Sequence, residues 1–152
     1  MFKVRVRKSG ITSVVSAPRG RKTVKVGFPA GKADGDVIQI AVWNHYGTQT
    51  IPERPFMSAA MRDNKAKYLA GMAKSAKSIL EASVKGTPGA GATAMRQTLS
   101  RLGIAAQADI QGEITSLMSP PNAPSTIKQK GSSNPLIDSG QMRGAVSWKI
   151  EE

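Results

Sequence analysis

Chemistry in this chain would have to come from a small set of side chains. Its 152 residues contain one histidine, His45, and no cysteine. Thiol nucleophiles, thiolate metal sites, disulfides and iron–sulfur clusters are thereby excluded, and no multi-histidine metal site can form within one chain. His45, Asp138 and Ser139 are the residue types of a hydrolase triad. However, no Gly-x-Ser-x-Gly elbow presents the serine, and His45 sits between Trp43 and Tyr46, where packing is the expected role. Two carboxylate pairs remain. Asp34 and Asp36 flank Gly35 as turn residues, whereas Asp109 and Glu113 are neighbours on a helix surface, and four carboxylates on separate elements make a poor cation cage. The run GTPGAGATA from Gly86 to Ala94 has the glycines of a phosphate loop, but no Gly-Lys-Ser/Thr follows and the run lies between helical patterns, so it is a turn. Pro121-Asn122-Ala123-Pro124 fits PxxP, a pattern any proline-rich loop can generate. Tyr68 and Trp148 are too isolated for a base-stacking platform. Neither enzymatic activity nor a cofactor or metal is expected.

What remains is charge. Lys and Arg number 22 against 10 Asp and Glu, a formal net charge of +12. Nine of the basic residues, Lys3, Arg5, Arg7, Lys8, Arg19, Arg21, Lys22, Lys25 and Lys32, precede the first acidic residue, Asp34. A one-signed field of this kind favours a polyanion or an acidic protein surface nearby, although a solvated strand face kept soluble by Lys and Arg has the same composition. No apolar run approaches the roughly 20 residues of a membrane span, and MFKVRVRKSG lacks the apolar core of a signal peptide, so neither membrane insertion nor secretion is expected.

The elements that must position these residues follow from periodicity. Phe2, Val4 and Val6 alternate with Lys3, Arg5 and Arg7 as in a half-buried strand, and Val24, Val26 and Phe28 alternate again. Lys8 to Arg21, with Gly10, Pro18 and Gly20, forms a loop. Val37 to Thr48 fits a buried strand or a short helix equally well. Pro55 suits the first turn of a helix, and Met57, Met61, Tyr68, Leu69, Met72, Ala76, Ile79 and Leu80 form one stripe from about Phe56 to Val84, a rod on the order of 40 Å long. A second helix runs from about Thr93 to Met118 on Met95, Leu99, Leu102, Ala106, Ile110, Ile114 and Leu117, with Gly103, Ala105 and Ala106 allowing a partner helix to approach. Ser119 to Pro135 is rich in proline and poor in apolar residues, as an extended loop would be. Asp138 or Ser139 caps a single turn through Arg143, and Val146, Trp148 and Ile150 form a last strand.

The chain is therefore one α+β domain: a small, mostly antiparallel sheet packed by two long helices, with a long proline-rich loop and a C-terminal strand. Residues 1–21 are a basic strand and loop, 22–118 the sheet and two long helices, 119–135 the extended loop, and 136–152 a short turn and the final strand.

Three stretches in order, AVWNHYGT with IPERPFMSAAM, LSRLGIAAQADIQGEI, and SPPNAPSTIKQKGSSNPLIDSGQMRGAVSWKI, resemble a family of small virion morphogenesis proteins of tailed double-stranded DNA phages. These are tail-completion or head–tail joining (neck) proteins, often labelled minor tail proteins. The resemblance spans about Thr23 to Ile150 and is sharpest at Gly47-Thr48 with Ile51 to Phe56, and at Pro120 to Gly140. The family often has Glu where this chain has His45, and Thr where it has Ser139.

The resemblance implies a structural, non-enzymatic virion protein that forms a ring, a hexamer or dodecamer. That ring would join the head connector or portal side to the tail tube or tail terminator, with genome DNA passing through its lumen. It also directs attention to Gly47, Thr48, Pro52, Arg54, Pro55, Phe56, Pro120, Pro121, Pro124, Thr126, Lys130, Pro135, Leu136 and Asp138 as subunit or partner contacts. Arg54 and Asp138, both in the most distinctive motifs, are expected to pair. The rival expectation is a basic nucleic-acid-binding protein without enzymatic activity. On either reading Lys3, Arg5, Arg7, Lys8, Arg19, Arg21, Lys22 and Lys25 would face DNA or an acidic partner. Replacing Arg5, Arg7, Arg19 and Arg21 by Gln should lower particle yield or DNA retention while leaving the circular dichroism of the protein unchanged; wild-type yield and retention would refute that role.

Overall fold

The computed structural model describes residues 22–29, 31–85 and 88–151. The expected strand at Phe2 to Val6 and the loop from Lys8 to Arg21 lie outside them. The elements run β1 (Thr23–Gly27), α1 (Gly35–Tyr46), α2 (Phe56–Asp63), α3 (Lys65–Lys85), α4 (Ala90–Ser116), α5 (Pro124–Lys130), α6 (Gln141–Ala145) and β2 (Ser147–Glu151). This is an α+β fold in which a two-stranded antiparallel sheet packs on the long helix α4.

The two ends of the described chain meet in the sheet. Val24 lies opposite Ile150 and Val26 opposite Trp148, so the alternating apolar residues of both strands share one face. On the other face the like charges Lys25 and Lys149 are directly opposed. Glu151 resolves the conflict by accepting from both ammonium groups at 2.8 Å, and these hydrogen bonds, Lys149 first, hold its carboxyl down at about 2.

The stretch after Asp34 is a helix. Val37, Ala41 and His45 recur every four residues and are the buried positions of α1, so the spacing of buried side chains decides over the strand preference of its Val and Ile. The expected continuous helix from Phe56 to Val84 is instead two. Asn64, at φ −98°, separates α2 from α3, and both its backbone N–H and its side-chain amide donate to Ala60 O, at 3.2 and 3.0 Å. A short amide side chain competing with the backbone for a carbonyl is a known helix disruptor.

Helix α4, 27 residues and about 40 Å long, is the spine. It touches α2, α3, α6 and both strands. Ile110 and Ile114 of α4 meet Phe56, Ala60, Val37, Ala41, Leu136, Met142 and Val146 in the core. Phe56 and Ile114 are fully excluded from water, and burial of each such side chain contributes about 1.5–3 kcal/mol. Phe28 and His45 both stand edge-on to the Phe56 ring, at 6.4 and 5.3 Å between centroids.

Gly103 admits a strand residue where a partner helix was expected. A Cβ there would lie 2.5 Å from the Trp148 ring, so the indole of β2 rests directly on the α4 backbone. Helix α3 runs beside α4 and is tied to it by Asp109, which accepts from Lys67 Nζ at 2.6 Å and from Tyr68 Oη at 2.6 Å. Burial and then the hydrogen bond to Asp109 push the Tyr68 phenol well above its ordinary range. Asp109 thus joins two helices and does not form a surface pair with Glu113.

No residue of α3 from Lys65 to Val84 is buried, and Leu69, Met72, Leu80 and Val84 are about half exposed. Between Ala90 and Leu102 of α4 only Gly91, facing Ser83, is buried. The outer parts of α3 and α4 therefore form a two-helix arm. The proline-rich stretch also departs from expectation, since α5 occupies its centre. Pro124 takes the first helical position, where its missing N–H costs nothing, and Gly131 ends the helix in the left-handed region at φ 69°.

A methyl group at Gly103 should cost more than helix propensity returns. Gly103→Ala is expected to destabilise by about 1–2 kcal/mol through overpacking against Trp148, whereas Gly112→Ala, with open space at its Cβ, should stabilise by about 0.5–1 kcal/mol. Urea unfolding of the two variants checks the contrast.

Candidate functional site

The site begins with the turn that leaves α1. Gly47 adopts φ 74°, and a Cβ there would lie 3.0 Å from Glu53 N, so glycine is required on both counts. Thr48 Oγ1 then accepts from the backbone N–H groups of Thr50 (3.2 Å) and Ile51 (3.0 Å), while Thr48 N–H donates to Ile51 O (2.8 Å). This tight turn brings Arg54 back over the end of α1, where its N–H donates to Asn44 O at 2.8 Å. Pro55 precedes the first helical residue of α2, and its carbonyl accepts from Ala59 N–H.

Arg54 is 2% exposed. Its guanidinium donates from Nε to Pro120 O (2.7 Å), from Nη1 to Asn44 Oδ1 (2.9 Å), and from Nη2 to Pro121 O (3.0 Å) and Asn122 Oδ1 (3.1 Å). One side chain thus fastens the start of the proline-rich stretch to α1. Burial pulls the guanidinium below its ordinary range. The expected Arg54–Asp138 pair does not form: planar donors next to a proline-rich backbone find carbonyls, which cannot bond among themselves and are costly to bury unpaired.

The far end of the stretch is fixed by Asn134. Its side-chain oxygen accepts from Leu136 and Ile137 N–H, both at 3.0 Å, and its amide donates to Thr115 O of α4 at 2.9 Å. Lys130 Nζ donates to Asn134 O at 3.0 Å. Burial lowers the Lys130 ammonium; Asp138 opposes that shift and Arg54 adds to it. Between these two clamps lies a pocket of about 370 Å³. Val37, Ile40 and Asn44 of α1 form one wall, Pro52 and Arg54 another, and Asn122, Thr126 and Lys130 a third. Pro135, Leu136, Asp138 and Met142 close it.

The residues singled out from the sequence thus fall into distinct places. Pro52, Arg54, Thr126, Lys130, Pro135, Leu136 and Asp138 all line this pocket. Gly47 and Thr48 build the turn, Pro120 and Pro121 offer carbonyls to Arg54, and Pro124 starts α5. As a partner contact Phe56 needs correction, because it is fully buried in the core, whereas Arg54, Pro135 and Leu136, also buried, can meet a partner only through the pocket they line. Of the basic candidates, Lys25 is bonded to Glu151 and Lys22 also has a partner, while Lys3, Arg5, Arg7, Lys8, Arg19 and Arg21 lie outside the described residues.

The contacts of His45 are with Tyr46, Phe56 and Ser58. His45 is buried against Phe56, its Nε2 lies 3.2 Å from Ser58 Oγ, its Nδ1 has no hydrogen-bond partner among the described residues, and burial lowers its pKa. Among the described residues no three acidic or histidine side chains gather to hold a metal, and no helix is long and apolar enough to cross a membrane. Comparison with protein-family models, with curated proteins and with solved structures yields no match to this chain.

Sequence reasoning overlooked the asparagines. Asn44, Asn122 and Asn134 supply the side-chain bonds that shape the site, and only the Asn134-Pro135 dipeptide carried a signal, that of a turn. Arg54→Ala should strip four acceptors of their donor and lower stability by about 3 kcal/mol or more. Arg54→Lys should fail to restore it, because an ammonium cannot span the same fork. Urea denaturation of both variants tests this, and a lysine variant as stable as the parent would refute the bonding scheme.

Proposed function

We infer that this protein is a structural, non-enzymatic subunit of a tailed-phage virion. It works as a tail-completion or head–tail joining component, assembling as a ring at the neck with DNA passing through the lumen. One observation carries the reading. The two stretches in which the family resemblance is sharpest, Gly47 to Phe56 and Pro120 to Gly140, are distant in sequence yet are bolted together by Arg54 around a single pocket. Residues that act as one unit in space are what a shared architectural role would select.

The apolar side chains exposed along α3 support the same reading, since a helix face of this kind is covered when a neighbour is present. Contacts of one copy's face with a different face of the next, repeated about an axis, close into rings. The partners on this reading are further copies of the chain, proteins of the head connector, and the tail tube or its terminator. The basic nucleic-acid-binding alternative draws on the +12 charge and on Lys65, Lys74 and Lys77 of α3.

Light scattering and electron microscopy of the purified protein separate the two. A neck subunit is expected to give discrete rings, of six or twelve copies, and to be present in purified phage particles. A DNA-binding protein would remain a small species whose affinity for duplex falls steeply with salt. Its absence from purified particles would overturn the structural reading.

A further inference from the structure

Among the described residues, the buried guanidinium of Arg54 has only neutral partners. Its four hydrogen bonds end on two backbone carbonyls and two amide oxygens, and no carboxylate among the described residues is bonded to it. A guanidinium has five N–H donors, so one is left over. A charge taken out of water is normally matched by an opposite one, because neutral dipoles repay the lost hydration only in part. Lys130, on the opposite wall, repeats the pattern: its ammonium donates to Asn134 O and, at a longer 3.5 Å, to Pro135 O, again both neutral. Among the described residues Asp138 is the one acidic side chain in the pocket lining. The two cations and one carboxylate leave a single unmatched positive charge facing a cavity of about 370 Å³.

The rest of the lining defines what could supply the missing charge. Val37, Ile40, Leu136 and Met142 present an apolar wall, and Asn122 and Thr126 present groups that hydrogen-bond a peptide backbone. The volume is near the lower end for ligand pockets, enough for two or three residues of extended chain. We propose that this pocket is a socket for one carboxylate side chain, Asp or Glu, carried beside an apolar residue on an extended segment of a partner protein. The carboxylate would lie between Lys130 and the Arg54 edge and complete the charge balance, while its apolar neighbour rests on Ile40 and Leu136. A nucleic-acid backbone fits less well, since consecutive phosphates would meet Asp138 and the apolar wall. The proposal rests on the assembly reading only for the origin of the segment.

Acetyl-leucyl-glutamyl amide is the probe, with acetyl-leucyl-glutaminyl amide as its uncharged isostere, each titrated into the full chain and followed by backbone amide shifts in NMR spectra. The glutamyl probe should shift the amides of Asn122, Thr126 and Gln141 with a dissociation constant of about 1 mM, as for a single small contact. The glutaminyl probe should bind about tenfold more weakly, the worth of one charge-assisted hydrogen bond. Lys130→Gln should weaken the glutamyl probe by a similar factor and Lys130→Arg should largely retain it. Should Lys130→Gln fail to fold, Thr126→Trp, which fills the pocket from a half-buried wall position, should abolish binding.

Equal binding of the two probes, no shift at the pocket amides, or displacement of the probe by a short DNA duplex would each overturn the proposal. Rings that assemble normally in a protein deaf to both probes would overturn the socket alone. A protein that binds the glutamyl probe yet forms no rings would count against the assembly reading alone.

Discussion

A guanidinium in the protein interior imposes conditions on everything around it. Arg54 must find acceptors for its donors or its burial would unfold the chain, and here the acceptors come from residues that are ten and nearly seventy positions away. The close turn of Gly47 and Thr48 delivers the arginine, α1 ends so that Asn44 faces it, and the proline-rich stretch arrives with free carbonyls. Prolines suit the receiving side, since a proline offers an acceptor with no donor of its own to satisfy. Two of the four bonds therefore run from one side chain to backbone carbonyls of the strap, and the other two end on the amide oxygens of Asn44 and Asn122.

Beneath this polar lock lies an ordinary apolar core. Phe56 follows Arg54 by two residues, and the same turn that aims the guanidinium at Pro120 sends the phenyl ring into the centre of the domain against Ile110 and Ile114. The core and the lock are thus set by a single short segment. The pocket lining follows from both: its apolar wall of Val37, Leu136 and Met142 belongs to the core, and its polar walls are the clamps of the strap.

Much of the framework was legible because it depends on periodic burial. The α4 stripe ending in Ile110 and Ile114, and the pairing of the alternating residues near Val26 and Trp148, follow from side chains that have one place to go. The Asn64 break was hidden, since the apolar stripe continues across it and only a side-chain amide competing for one carbonyl interrupts the helix. Helix α5 was hidden by its prolines, although Pro124 stands at the one helical position that tolerates it. In the pocket, Pro52, Arg54, Thr126, Lys130 and Asp138 could be singled out, but not how they are joined. A sequence displays charges that invite pairing, and it does not display which backbone carbonyls will lack a donor; here the carbonyls won the arginine and left Asp138 beside Lys130.

The two-helix arm has a mechanical meaning. Helix α4 passes unbroken from the core, where Ile110 and Ile114 are held on several sides, to a stretch braced chiefly by α3, and the Lys67–Tyr68–Asp109 contact fastens α3 near the inner end. The pair is a cantilever. Val84 stands 16 residues beyond Tyr68, about 24 Å along the helix axis, so a tilt of about 10° at the clamp carries the outer end through roughly 4 Å. A small repacking around Gly103 and Trp148 would be amplified into a displacement large enough for a neighbouring molecule to register.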